Sequence, residues 1–133
     1  MKKFSKILGK IFSYSIIALS VYMLLGVAIQ KDEFYVFGYR PVLVLSGSME
    51  PYMETNSVAI VKKTKDIQEG DVVMFRIDED TRVCHRAVDI DAKGNITTKG
   101  DNNEVADFDT VTKNMVEGKV VARMNFLSGL IGK

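Results

Sequence analysis

The sequence predicts a small, mostly β domain behind one N-terminal transmembrane helix. Three observations lead there: an uncharged apolar run over 11–30, short Val-, Ile- and Phe-rich runs of period two beyond it, and Gly-, Asn- and Asp-rich clusters between those runs. Setting one span aside from the 133 residues leaves about a hundred for a folded body, which is room for one domain near the lower end of self-sufficient size.

Residues 1–10 form a basic tip, with Lys2, Lys3, Lys6 and Lys10 and no acid, so that 14 of the 18 basic residues face 17 acidic ones in the rest of the chain. A net charge of only +1 gives a nucleic-acid partner little support. Between Ile11 and Ile29 only Ser13, Ser15, Ser20 and Gly26 fall outside the apolar and aromatic set. Twenty helical residues rise about 30 Å, the thickness of a bilayer's hydrocarbon core, so this segment can span. The lysines keep its N-terminal side in the cytoplasm, which places 31–133 on the far face of the cell membrane as the body of a single-pass protein. A cleaved signal peptide has an apolar region of only about 7–15 residues and a small-x-small exit. This run is longer and leaves through Val27-Ala-Ile-Gln-Lys31, so an uncleaved signal anchor is expected. A buried soluble helix would show a polar face, and the run has none.

Strands are expected near 34–37, 42–45, 58–62, 72–77, 82–90, 96–99 and 119–122, with turns at Glu69-Gly-Asp71, Asp78-Glu-Asp80, Lys93-Gly-Asn95 and Gly100-Asp-Asn102. Residues 108–116 could hold a helical turn or two. The final apolar stretch, 124–131, is far too short to cross a membrane. One cysteine, Cys84, excludes an intramolecular disulfide, and a lone Cys with a lone His is too few for a zinc cage.

Both prolines fall in Pro41-Val-Leu-Val-Leu-Ser-Gly-Ser-Met-Glu-Pro51. An apolar strand there runs into Ser46-Gly-Ser48, and Pro51 stops it from continuing, so the serines sit at a fixed strand end. That geometry suits a presented nucleophile, and it equally suits a plain polar turn. The single histidine, His85, shares a strand face with Val83 and Ala87, where it is either a satisfied half-buried side chain or a general base for a serine hydroxyl. An imidazole base needs an orienting group, and Asp101, Asp107 and Asp109 are available downstream. Spacing alone does not choose among them. Cys84 points to the face opposite His85 in an alternating strand and reads as packing.

Four separated pieces, Ser46-Gly-Ser-Met-Glu-Pro51, Glu69-Gly-Asp-Val-Val-Met-Phe75, His85-Arg86 and Thr98-Lys-Gly-Asp-Asn-Asn103, follow the anchor in that order. Together they resemble the type I signal peptidases of the serine/histidine branch, which includes endoplasmic-reticulum, archaeal and W-type bacterial enzymes. The resemblance implies a small antiparallel β-domain of the signal-peptidase type. It implies Ser48 as nucleophile, Ser46 and the Ser48 backbone N–H as oxyanion hole, and His85 as general base. Asp107 is implied as the group that orients His85, and Asp101 as a loop-fixing residue also needed for activity; Asp109 is the outsider. Lys62 and Lys63 become strand-end charges, because the position of a lysine base is taken by His85. An exposed apolar surface against the membrane is implied near the site, with Met49 as a candidate member. The chain departs from many relatives at Met53-Glu-Thr-Asn-Ser57, where they carry a Gly-Asp pair, and several relatives continue into a second span after the position of Lys133.

The function expected is that of a membrane-anchored serine endopeptidase that removes signal peptides from exported preproteins, without metal or organic cofactor. Its partners would be signal-peptide-bearing preproteins, the lipid bilayer and accessory membrane subunits. The rival is a membrane-tethered β-domain that binds a peptide or an envelope partner without cutting it.

Overall fold

The computed structural model describes residues 1–30 and 34–125. Two compact units divide the chain, Met1–Val36 and Phe37–Lys133.

In the first unit one helix, α1, runs Lys2–Gln30, so the basic tip is helical together with the apolar run. Its stretch Lys2–Gly26 has a mean hydropathy of 1.7 and is long and apolar enough to cross a membrane. The three serines do not break this character. Their hydroxyls donate to the carbonyls one turn back, Ser13 to Gly9 at 3.0 Å, Ser15 to Ile11 at 2.9 Å and Ser20 to Ile16 at 2.9 Å, which satisfies them within the helix as a water-free surrounding requires.

The second unit is a six-stranded antiparallel sheet, as the expected fold class requires. Its strands are β1 Tyr39–Leu43, β2 Val58–Lys63, β3 Val72–Arg76, β4 Arg82–Ile90, β5 Ile96–Lys99 and β6 Val116–Met124, in the order β1-β2-β6-β3-β4-β5. β3 lies inside the sheet and is buried on both faces. Val72 and Met74 enter one apolar cluster with Met49, Met53, Ala59 and Val61, while Val73 and Phe75 enter another with Ala87, Ile96, Val111 and Val116. This period of two explains why Val72-Val-Met-Phe75 is an unbroken apolar run.

A flat sheet in this order would hold β1 and β4 about 19 Å apart, four spacings of about 4.8 Å. Instead both strands line one groove. The sheet is therefore strongly coiled, and its register shifts at Ile60/Val61, Met74/Phe75 and Ala87/Asp89 are the bulges that help to bend it. β6 is crowded against β2: a Cβ at Gly118 would lie 2.3 Å from the Lys62 carbonyl oxygen. Gly118→Ala is expected to cost about 3 kcal/mol of stability through this backbone clash, read as a lowered thermal midpoint of the purified protein; an unchanged midpoint would mean that β2 and β6 can part freely.

Four expectations need correction. No strand forms at 34–37, because the chain turns at Phe37 and Gly38, whose φ angles are 51° and 81°. β1 begins and ends earlier than 42–45: Val44 still bonds the facing backbone, its N–H donating to the Ser57 carbonyl at 2.9 Å and its carbonyl accepting from Asn56 at 2.7 Å, and the bend toward Ser46 follows at Leu45. β6 is longer than 119–122, because Gly118 does not interrupt it. Over 108–116 the chain forms turns and one bridge, Ile96 to Val111, before Val116 opens β6, and no helix. The stretch 124–131 lies outside the described residues from 126 on.

Candidate active site

Three turns and one strand meet at the mouth of the groove. Past β1 the chain bends through residues 46–51, where the backbone N–H of Glu50 donates to the Gly47 carbonyl at 3.1 Å and the Glu50–Pro51 peptide is cis. Met49 drops into the first apolar cluster with 1% exposure, and this pins the turn from beneath. Met49 is thus a core residue, and its expected place on a membrane-facing surface is wrong. With Met49 buried, Ser48 is left partly open beside the groove, and Ser46 is exposed.

β4 brings His85 to Ser48. The sequence separates the two by 37 positions, yet His85 Nε2 lies 3.2 Å from Ser48 Oγ. On the other side of the ring, His85 Nδ1 lies 2.6 Å from Asp107 Oδ2. A carboxylate can only accept there, so Nδ1 carries the hydrogen and Nε2 presents its lone pair to the serine hydroxyl. Thr98 Oγ1 donates to the same Asp107 oxygen at 2.7 Å, and the Asp107 backbone N–H donates to the Thr98 carbonyl at 2.8 Å. Asp107 is therefore held by both its side chain and its backbone. The His85 ring also meets Phe75 edge-on, centroids 6.5 Å apart. Ser46 Oγ is 3.2 Å from Ser48 Oγ.

Asp101 sits elsewhere. Both its oxygens are taken by Arg86, from Nε at 2.8 Å and Nη2 at 2.6 Å, while Arg86 Nη1 donates to the Gly70 carbonyl at 2.8 Å. The hydrogen-bonded Asp101 carboxylate raises the Arg86 pKa further above its ordinary value, against the opposing effect of burial, so Arg86 keeps its charge. Tyr52 supports Arg86 from its ring, 4.8 Å from the guanidinium, and Arg123 lies 3.9 Å from the same ring centroid. Asp109 is exposed, and so are Lys62 and Lys63 at the end of β2.

The loop that carries Asp101 also grips the serine turn. Asn102 donates from its backbone N–H to the Ser48 carbonyl at 2.8 Å and from Nδ2 to the Gly47 carbonyl at 3.1 Å. Gly100 allows this approach, since a Cβ there would stand 2.7 Å from the Ser48 carbonyl oxygen. Thr98 and Asn102 are the site residues that sequence reasoning missed. Both stand in the Thr98-Lys-Gly-Asp-Asn-Asn103 motif, which had been read for its acid alone.

A family model described as Peptidase S24-like matches residues 38–121. The chain belongs to the S24-like peptidase family. Among similar proteins, signal peptidase I W of Bacillus subtilis is 41% identical over 125 residues, which cover 90% of this chain and 65% of that protein. Signal peptidase complex catalytic subunit SEC11C of Canis lupus familiaris is 37% identical over 73 residues, 50% of this chain and 38% of its own length. The corresponding SEC11 subunit of Yarrowia lipolytica is 41% identical over 71 residues, 50% of this chain and 41% of its own. The chain spans less than two thirds of the length of these relatives. The resemblance to the W-type and endoplasmic-reticulum signal peptidases is borne out.

In this S24-like chain Cys84 is the residue to separate from the chemistry. It packs against the first apolar cluster, while Val83 and Ala87 pack in the second, as alternation along β4 requires. Burial pushes its thiol up to about 12, only partly offset by the Arg40 charge. A thiolate nucleophile is thereby disfavoured. Iodoacetamide at mildly alkaline pH is expected to leave Cys84 unmodified in the folded protein and to alkylate it after unfolding, as read by mass; rapid labelling of the folded protein would contradict its packing role.

Proposed function

We propose that the chain is a membrane-anchored serine endopeptidase that removes N-terminal signal peptides from exported preproteins. The observation that carries this reading is the hydrogen-bonded order Ser48, His85, Asp107 at the end of an open groove, in an S24-like chain. The groove encloses about 580 Å³ between β1 and β4, with Val42, Val44, Met49, Met74 and Cys84 in its walls. β1 is an edge strand, so an extended precursor segment can join it by main-chain hydrogen bonds. Apolar walls then meet side chains one and three residues before the cut, and small ones fit best.

In the reaction Ser48 Oγ attacks the scissile carbonyl as His85 Nε2 takes its proton. Asp107 stabilises the imidazolium that forms. Charge developing on the carbonyl oxygen is met by the Ser48 N–H and the Ser46 hydroxyl, donors commonly worth a few kcal/mol. His85 then gives its proton to the leaving amine as the C–N bond breaks. Water, deprotonated by the same imidazole, then attacks the acyl carbon, and the imidazolium returns that proton to Ser48 Oγ as the C–O bond breaks and the signal peptide leaves. α1 is proposed to serve as an uncleaved, single-pass anchor with residues 1–10 in the cytoplasm. Holding enzyme and precursor in one membrane raises their effective concentration. Accessory membrane subunits are a further proposal, suggested by relatives named as subunits of a signal peptidase complex.

The test is cleavage of a precursor with an Ala-x-Ala site by the membrane-embedded protein beside its Ser48→Ala form. Cleavage by the parent alone is expected. Equal cleavage by both proteins, or by neither across several precursors, would overturn the reading.

A further inference from the structure

On the far side of His85 from the β1 groove lies a second depression, of about 460 Å³. Its apolar walls are Phe75, Ile77, Val83, Val105, Phe108 and Met115. Phe75 is core, but Phe108 is 100% exposed, Val105 66% and Ile77 57%. Packing among the described residues of the second unit therefore gives no account of these three side chains. A fully exposed phenylalanine beside an apolar hollow suits a ligand that arrives from outside.

The hollow is continuous with the groove. Val83, His85 and Asn103 border both. An extended peptide whose scissile bond lies at Ser48 occupies the β1 groove with the residues before the cut, and its continuation has to leave past the imidazole, which must reach the leaving nitrogen. At about 3.3 Å per extended residue, the first two residues after the cut fall over this hollow. Its rim is acidic, with Asp107 and Asp109. That sign suits the product, because the peptide released from this side begins with a new α-amino group, a cation once it has taken a proton from water.

We infer that the hollow formed by Val105, Phe108 and Ile77 beside His85 seats the segment of the precursor that follows the cut, and selects apolar side chains in its first two residues. The inference rests on the peptidase reading above. Phe108 would cover the leaving segment from the solvent side while Phe75 and Met115 floor the hollow.

The test uses precursors that share one Ala-x-Ala site and differ only in the two residues after the cut, Leu or Phe against Asn. Asn keeps the comparison neutral toward the acidic rim. Each is cleaved by the membrane-embedded parent and by its Phe108→Ser and Val105→Ser variants, whose thermal midpoints are measured alongside. The parent is expected to favour the apolar precursors in kcat/KM by about tenfold, the usual worth of one apolar contact. Either variant should bring the ratio near one and cut the Asn precursor at the parent's rate. Ser48-dependent cleavage without any apolar preference in the parent overturns this inference alone. An unchanged ratio in the variants, with all precursors slowed alike, also overturns it and assigns Phe108 to contact with the membrane or another subunit. Cleavage that survives Ser48→Ala overturns the peptidase reading, and this inference with it.

Discussion

Ser48→Ala is expected to lower kcat for precursor cleavage by about six orders of magnitude, and His85→Ala by nearly as much. The two act on one step. Without the hydroxyl there is no acyl-enzyme, and without the imidazole the hydroxyl 3.2 Å away keeps its proton. The double substitution should therefore be no slower than the worse single one, because each removal already disables the other residue. Neither change strands a buried polar group, since Asp107, the partner that His85→Ala leaves behind, is part-exposed and keeps its bond from Thr98, so the thermal midpoint should hold. Multiplicative losses in the double variant would show that Ser48 and His85 work independently.

Asp107→Asn has the next largest expected effect, a fall in kcat of about 10⁴ with KM little changed. A neutral amide cannot stabilise the imidazolium, and an amide nitrogen turned toward Nδ1 would place the ring proton on Nε2, facing the serine. Asp101→Asn should behave differently. Its partner is Arg86, two strong bonds of 2.8 and 2.6 Å, so the loss should come with a lowered thermal midpoint and a smaller fall in kcat. Comparing kcat, KM and midpoint for the two variants checks the assignment; a full-rate Asp107→Asn protein would remove Asp107 from the assembly.

The fold was legible where burial was simple. Val72-Val-Met-Phe75 is apolar because both faces of β3 are covered, and β4 alternates before its bulge because Val83 and Ala87 meet the second cluster while Cys84 meets the first. It failed where backbone conformation overrode side-chain pattern. Phe34-Tyr-Val-Phe37 has strand composition, but Phe37 adopts a positive φ and turns the chain. Gly118 looks like a break and is instead a point of close approach between strands. At the site, the residue types and the resemblance pointed to Ser48 and His85, whereas the choice between Asp101 and Asp107 depends on where one loop folds. Spacing carries no record of that path. The contact of Asp107 with His85 and the capture of Asp101 by Arg86 separate the two acids. Met49 differs from its expected place for a similar reason: a methionine beside an exposed serine turn looks like a surface contact, yet the turn needs an apolar peg.

The coiling of the sheet has a consequence for the life of the molecule before it is complete. The proposed nucleophile and base belong to chain segments whose strands are not neighbours, and no local hairpin can bring them together. In the finished sheet β2, β6 and β3 stand between their strands, and the loop after β5 ties the serine turn across that distance through Asn102. A chain whose sheet is only partly assembled would lack the Ser48–His85 approach, so the proposed activity should appear with the cooperative closing of the whole sheet and with no single hairpin.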